Sequence, residues 1–254
     1  MRAGPSLDYY IVPVTSYQQN CTIVVCPKTN KCAVIDPGGD VDQIMEEVER
    51  QGLDVEKIWI THPHFDHANG VKELKTATGA IIEGSHIADR FWVENPYNSF
   101  YGVSKENRFV PDRWLQDGDK VTVGETTWEA LHCPGHTLGH IVYYNRENKF
   151  AQVGDVIFKN SMGRYTLWGG CRAELVNSIW KKLFPLGDVN FVAGHREESN
   201  LKKERETNWA VGDRAQRGLM MPFALYLDVF DIAFRGPGRL IEAWRWSRMN
   251  RCNM

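Results

Sequence analysis

At 254 residues the chain is long enough for a full buried core, as one domain or as a domain with an appendage. A 43% hydrophobic composition reads as a globular protein, and a net charge of −2 with a pI near 6.5 excludes a field strong enough to bind nucleic acid unspecifically, so an anionic substrate has to be held locally. The start carries Arg2 and no apolar signal-peptide core, which makes a cytoplasmic location the expectation; the scattered cysteines, without C-x-x-C spacing, are expected to be reduced and mostly packed as small core residues.

The β-rich runs over 9–14, 21–26 and 32–35 predict the first strands of a sheet. Asp36-Pro37-Gly38-Gly39-Asp40 then forms a turn and places Asp36 at a strand's end. A helix is predicted over 41–51, with Ile44, Met45 and Val48 as its buried stripe, and a strand over 57–61 follows. That strand runs into Thr61-His62-Pro63-His64-Phe65-Asp66-His67, a dense set of metal-ligand types. With the backbone extended, His62 and His64 project to one side and can share an ion, while Asp66 and His67 lie a turn further on and can serve a second. A helix over 70–77 completes an alternating strand and helix half. Between 84 and 113 the pattern loosens, and Phe91, Trp92, Tyr97, Phe100 and Tyr101 read as a small hydrophobic cluster or the cap of a pocket.

Strands return over 120–123, 126–132, 140–144, 150–153 and 190–192. Ligand types recur at their ends: His132-Cys133-Pro134-Gly135-His136 after one, Gly154-Asp155 after another, Ala193-Gly194-His195 after the last. Pro or Gly beside a candidate ligand lets the backbone turn sharply and aim the side chain inward, and loops at the ends of a rigid sheet are where a site is built. His132 and His140 read as hydrogen-bonding neighbours of the site or as structural histidines, His86 has no evident partner, and Cys133 reads as packing.

Taken in order from about 9 to 209, I-V-P-V-T, D-P-G-G-D, T-H-P-H-F-D-H, H-C-P-G-H-T-L-G-H, V-G-D-V-I-F and A-G-H resemble the metallo-β-lactamase superfamily, and within it the short glyoxalase II-like, or hydroxyacylglutathione hydrolase-like, metallohydrolases. The resemblance implies an α/β fold, a four-layer αββα sandwich with a dinuclear metal centre at one edge. By the same resemblance His62, His64 and His136 look like ligands of a first metal and Asp66, His67 and His195 of a second. Asp155 would bridge both, Asp66 and Asp155 would be the catalytic carboxylates, and Asp36 would orient a ligand from behind. Imidazole and carboxylate donors suit zinc, and equally iron or manganese, and two ions roughly 3.5 to 4 Å apart can ionise a water between them. A thiolate with a pKa of roughly 8.5 departs from the attacked carbonyl without a strong acid, which points to a thioester such as S-lactoylglutathione or another acylglutathione.

Two loops depart from the relatives' pattern. Where they commonly read G-R-x-D-F-P-G-G, Arg164 matches but Thr166 and Trp168 do not; Arg164 and Tyr165 are the expected substrate contacts, the guanidinium gripping a carboxylate. Where they read P-G-H-G-P, this chain has Ala193-Gly194-His195-Arg196-Glu197, which changes the loop around a ligand of the second metal. The resemblance ends near Arg214, so a catalytic domain over 1–214 and an extension over 215–254 are expected. The extension, with an apolar stretch broken by Pro222, Asp228 and Asp231, is too short and too charged to span a bilayer, and it could dock on the body or join two copies into a homo-oligomer. Competing readings are an iron-dependent persulfide dioxygenase using His62, His136 and Asp155, a β-lactam or lactone hydrolase, and a metal-binding scaffold without turnover.

Overall fold

The computed structural model describes residues 7–94 and 101–216, so Tyr97, Phe100 and the extension from residue 217 onward lie outside the described residues. One sheet holds β1 (Asp8–Val14), β2 (Gln19–Val25), β3 (Lys31–Ile35), β4 (Asp54–Ile60) and β5 (Ile81–Gly84) in that spatial order. β1 to β3 are antiparallel neighbours; β3, β4 and β5 run parallel, linked by α1 (Val41–Arg50), then by α2 (Phe65–Ala68) and α3 (Val71–Thr78). After α4 (Arg90–Glu94), the second sheet collects β6 (Lys120–Val123), β7 (Thr126–His132), β8 (Ile141–Asn145) and β9 (Phe150–Gln152). The short hairpin β10 (Ile157–Phe158) and β11 (Ser161–Met162) stands apart, and β12 (Asn190–Val192) and β13 (Ser199–Asn200) close the second sheet in the order β13-β12-β9-β8-β7-β6. α5 (Arg172–Ser178), α6 (Leu201–Thr207) and α7 (Asp213–Gln216) follow the hairpin and the last strands.

The layers follow from the period of two in the strands. In β2, Cys21, Ile23 and Val25 join a core with Val41, Ile44 and Val48 of α1 and Val71 and Leu74 of α3, whereas Val24 faces the other sheet. In β8, Val142 and Tyr144 pack outward with Leu175 of α5 and Leu201 of α6, whereas Ile141 and Tyr143 face inward. Strands buried on both faces read as continuous apolar runs, which is why β2 and β8 carry so little charge. Helices outside, sheets inside and three cores between them make the expected four-layer αββα sandwich.

Between the sheets, Trp59 of β4 stacks on Tyr143 of β8 at 5.0 Å and meets Trp128 of β7 edge-on at 5.6 Å. The Tyr143 hydroxyl accepts from the Ile60 N–H at 3.1 Å and donates to the Ile60 carbonyl at 3.0 Å. These bonds pin the end of β4, immediately before the histidine run, to the opposite sheet. A buried side chain of this size is worth about 2–3 kcal/mol, so the anchor is stiff as well as specific.

The predicted strands are all present with ends shifted by a few residues, while β5, β10, β11, β13 and α4 to α7 lie outside the predicted elements. Asp66 and His67 sit on the helical turn α2. Cys21, Cys26, Cys32 and Cys133 are free and buried as expected, and Cys252 lies outside the described residues. Among the described residues no helix is long and apolar enough to cross a membrane.

Candidate metal centre

The ends of β3, β4, β9 and β12 and the loop after β7 meet at one edge of the sandwich, and every predicted ligand is there. Nε2 of His136 lies 3.1 Å from Nε2 of His62 and 3.0 Å from Nδ1 of His64. On the other side, Nε2 of His195 is 3.1 Å from Oδ2 of Asp66, and Nε2 of His67 is 3.8 Å from the same oxygen. Asp155 stands between the groups, with Oδ1 3.5 Å from His67 Nε2 and Oδ2 3.7 Å from His136 Nε2 and 3.9 Å from His195 Nε2.

The outer nitrogens explain why the inner ones converge as lone pairs. Thr61 donates its hydroxyl proton to Oδ2 of Asp36 at 2.5 Å, so Nδ1–H of His62 donates to Oγ1 of Thr61 at 3.0 Å and leaves Nε2 bare. Nδ1–H of His67 donates to Oδ2 of Asp36 at 2.9 Å, and Nδ1–H of His136 donates to the Arg164 carbonyl at 2.6 Å. Metal-binding histidines characteristically give their second N–H to such acceptors, which fixes tautomer and ring orientation. Asp36 adopts a left-handed φ of 54° and also accepts the Thr61 N–H at 2.7 Å, so this carboxylate fits the orienting role expected of it.

Charge points the same way. Burial, with neighbouring imidazoles, pushes His62 and His64 well below the usual histidine range and also lowers His136, keeping them neutral. Burial opposes protonation of His67, but Asp155 and Asp66 outweigh it and hold His67 well above that range; His195 rises for the same reason. Burial likewise opposes ionisation of Asp155, yet His67 and His195 hold it well below the ordinary carboxylate range. The carboxylates thus draw positive charge into the site, held here as protons on His67 and His195, and divalent ions would supply it in place of those protons. Nε2 of His67 and Oδ1 of Asp155 are buried without hydrogen-bond partners, a costly arrangement unless they coordinate a cation. The donor chemistry therefore fits two divalent ions, one at His62, His64 and His136 and one at Asp66, His67 and His195, with Asp155 within reach of both.

Several supporting residues were not legible as such. His140, left open by the sequence, accepts the Asp155 N–H with Nε2 at 3.1 Å and stacks on His62 at 4.8 Å. Asn20 donates to the Ala193 and Arg196 carbonyls at 3.0 and 2.8 Å and holds the loop of His195, in which Arg196 takes a left-handed φ of 70°. That conformation is why glycine suits this position. Gly194 is needed for space: a Cβ there would stand 2.3 Å from Oδ1 of Asp155 and 2.4 Å from Cε1 of His67. Asp89, fully buried, accepts from Thr137 Oγ1 and the Gly139 N–H, both at 2.7 Å, and so anchors the loop of His136. His86, without an expected partner, stacks on His132 at 4.3 Å, and Cys133 is core packing whose thiol burial pushes up to about 12. Of the expected substrate contacts, Arg164 supplies its carbonyl to His136, and Tyr165 packs against the outer core of the second sheet.

The sequence profile described as the metallo-beta-lactamase superfamily matches residues 14–199. Hydroxyacylglutathione hydrolase GloC of Haemophilus influenzae is 36% identical over 206 residues, covering 80% of this chain and 97% of that protein. Among solved structures, the BLEG-1 B3 metallo-beta-lactamase superposes with a TM-score of 0.73 at 26% identity, over 79% of this chain and 98% of that one. TTHA1623 in a di-iron-bound form superposes with a TM-score of 0.69 at 28% identity, over 78% and 98%.

Proposed function

The chain belongs to the metallo-β-lactamase superfamily and is a hydrolase, and from that premise we propose that it is a dinuclear enzyme cleaving a thioester such as S-lactoylglutathione or another acylglutathione. One observation carries the dinuclear reading: two donor sets, with tautomers fixed from behind at His62 and His136 in one and at His67 in the other, share Asp155. His62, His64 and His136 are the proposed ligands of the first ion, Asp66, His67 and His195 of the second, and zinc is the proposed metal. Two ions there would supply an ionised water as nucleophile and polarise the acyl carbonyl.

The chain's own residues set the geometry. Asp36, Thr61 and the Arg164 carbonyl hold the imidazoles in register, and His140 holds the backbone of Asp155. Asp66 is the carboxylate proposed to take up the proton of the attacking water. The thiol, with a pKa of roughly 8.5, leaves as thiolate and needs no donor. Arg164 is the proposed cation for a remote carboxylate of the substrate. The similarity to a hydroxyacylglutathione hydrolase over nearly its full length supports the thioester over a β-lactam or lactone.

The test is anaerobic release of free thiol from S-lactoylglutathione by zinc-loaded protein, with metal counted by elemental analysis. Asp155→Ala is expected to abolish turnover while the circular dichroism spectrum is retained, because the shared ligand lies at the sandwich edge. Oxygen uptake with glutathione persulfide by an iron-loaded form, with no thioester cleaved by any metal form, would replace the hydrolase by the dioxygenase.

A further inference from the structure

The face of the centre nearest His64 is aromatic. The Trp92 ring packs edge-on against His64 at 4.8 Å and edge-on against Trp168 at 5.8 Å, and Trp168 stacks on Phe91 at 3.9 Å with the rings 29° apart. Trp92 is buried, whereas Phe91 and Trp168 are half-exposed. Leu138, two residues beyond His136 and 37% exposed, lies against the same loop: a Cβ on Gly169 would come 3.0 Å from its Cγ. Segments remote in sequence thus join a candidate ligand, through the buried Trp92, to the half-exposed Phe91 and Trp168. The sides of this stacked pair left uncovered, beside a centre that would hold cations, gain most from a ligand ring laid on them while its polar group stays at the donors.

We propose that Phe91 and Trp168, backed by Trp92, bind an aromatic group attached to the scissile carbonyl, so that the substrates are aromatic acyl thioesters in preference to small hydroxyacyl ones. This rests on the thioesterase reading above. A phenyl ring reaches and stacks on this wall where a methyl group covers little of it. The added area and the ring contact together correspond to about a ten-fold preference.

Mandelate and lactate isolate that difference, because they share the α-hydroxycarboxylate and differ only in phenyl against methyl. Calorimetry on the zinc-loaded full chain is expected to show mandelate binding about ten-fold tighter than lactate. S-mandeloylglutathione is expected to exceed S-lactoylglutathione in kcat/KM by a similar ratio. Both ratios should collapse towards one in Trp168→Ala and in Trp168→Leu, the latter keeping apolar volume without the ring face. Equal affinities for the two acids, or a preference that survives in both variants, overturns the wall's role. Tighter mandelate binding with neither thioester cleaved leaves the wall standing and removes the thioesterase reading; cleavage of both with lactoyl preferred does the reverse.

Discussion

Nδ1 of His67 lies 2.9 Å from Oδ2 of Asp36, and this contact decides which nitrogen of His67 faces Asp155. The carboxylate takes the Nδ1 proton and also holds Thr61, which in turn sets His62, so one side chain at the end of β3 fixes a ligand of each proposed ion. Asp36→Ala is expected to weaken metal binding by about 10- to 100-fold, the range for removing such a partner. Chelator competition measures it; an unchanged affinity means the imidazoles hold their orientation without Asp36.

Gly194→Ala should be far more damaging than its size suggests. The added Cβ would stand 2.3 Å from Oδ1 of Asp155 and 2.4 Å from His67, so one or both ligands must move. Misplacement by about 1 Å can lower turnover roughly 100-fold. The expected result is a folded protein with less metal and a kcat reduced on that order, read by elemental analysis and steady-state kinetics.

Asp89 gives a pH-dependent term in stability. Burial pushes its carboxyl up to about 7, against the pull of Thr137, Gly139 and Ser85. Its folded pKa thus lies above the unfolded value of roughly 3.9, so its contribution is fully present below about pH 4 and is lost as pH rises through about 7, by up to about 4 kcal/mol. Asp89→Asn removes that titration while keeping an acceptor for the Gly139 N–H. In urea unfolding, the variant should gain on the native chain as pH goes from about 5 to 8. A stability difference that is the same at both pH values would mean that Asp89 titrates in its ordinary range.

Removing metal should lower the melting temperature and leave the fold intact. The donors lie at the sheet ends, away from the three apolar cores, so loss of ions withdraws binding free energy without opening the sandwich. Differential scanning calorimetry before and after chelation, with the transition restored by added zinc, checks this. Unfolding on chelation at room temperature would make the ions part of the core.

Much of the architecture was legible because it rests on short-range pattern. The unbroken low-charge runs of β2 and β8, the stripe of α1, and Pro or Gly beside most of the candidate ligands lie within a few residues of one another. The candidate ligands stand out for the same reason, since most of them close a strand or stand beside a sharp turn, with Asp66 and His67 on the helical turn α2. β5, α5 and α6 were missed, as were α4, α7 and the two-residue strands β10, β11 and β13: their segments are short, and what forms them is packing and pairing that the local sequence does not encode.

What holds the ligands in place belonged to the tertiary structure alone. Asn20 reaches the His195 loop across 173 residues, Asp89 reaches Thr137 across 48, and Phe91 meets Trp168 from another segment entirely. The sequence determined which residues could bind metal, because ligand chemistry resides in each side chain. Which of their nitrogens is free, and which aromatic faces stand beside them, was decided only when the two sheets packed, because a hydrogen-bond partner or a ring contact exists only between groups that folding has brought together.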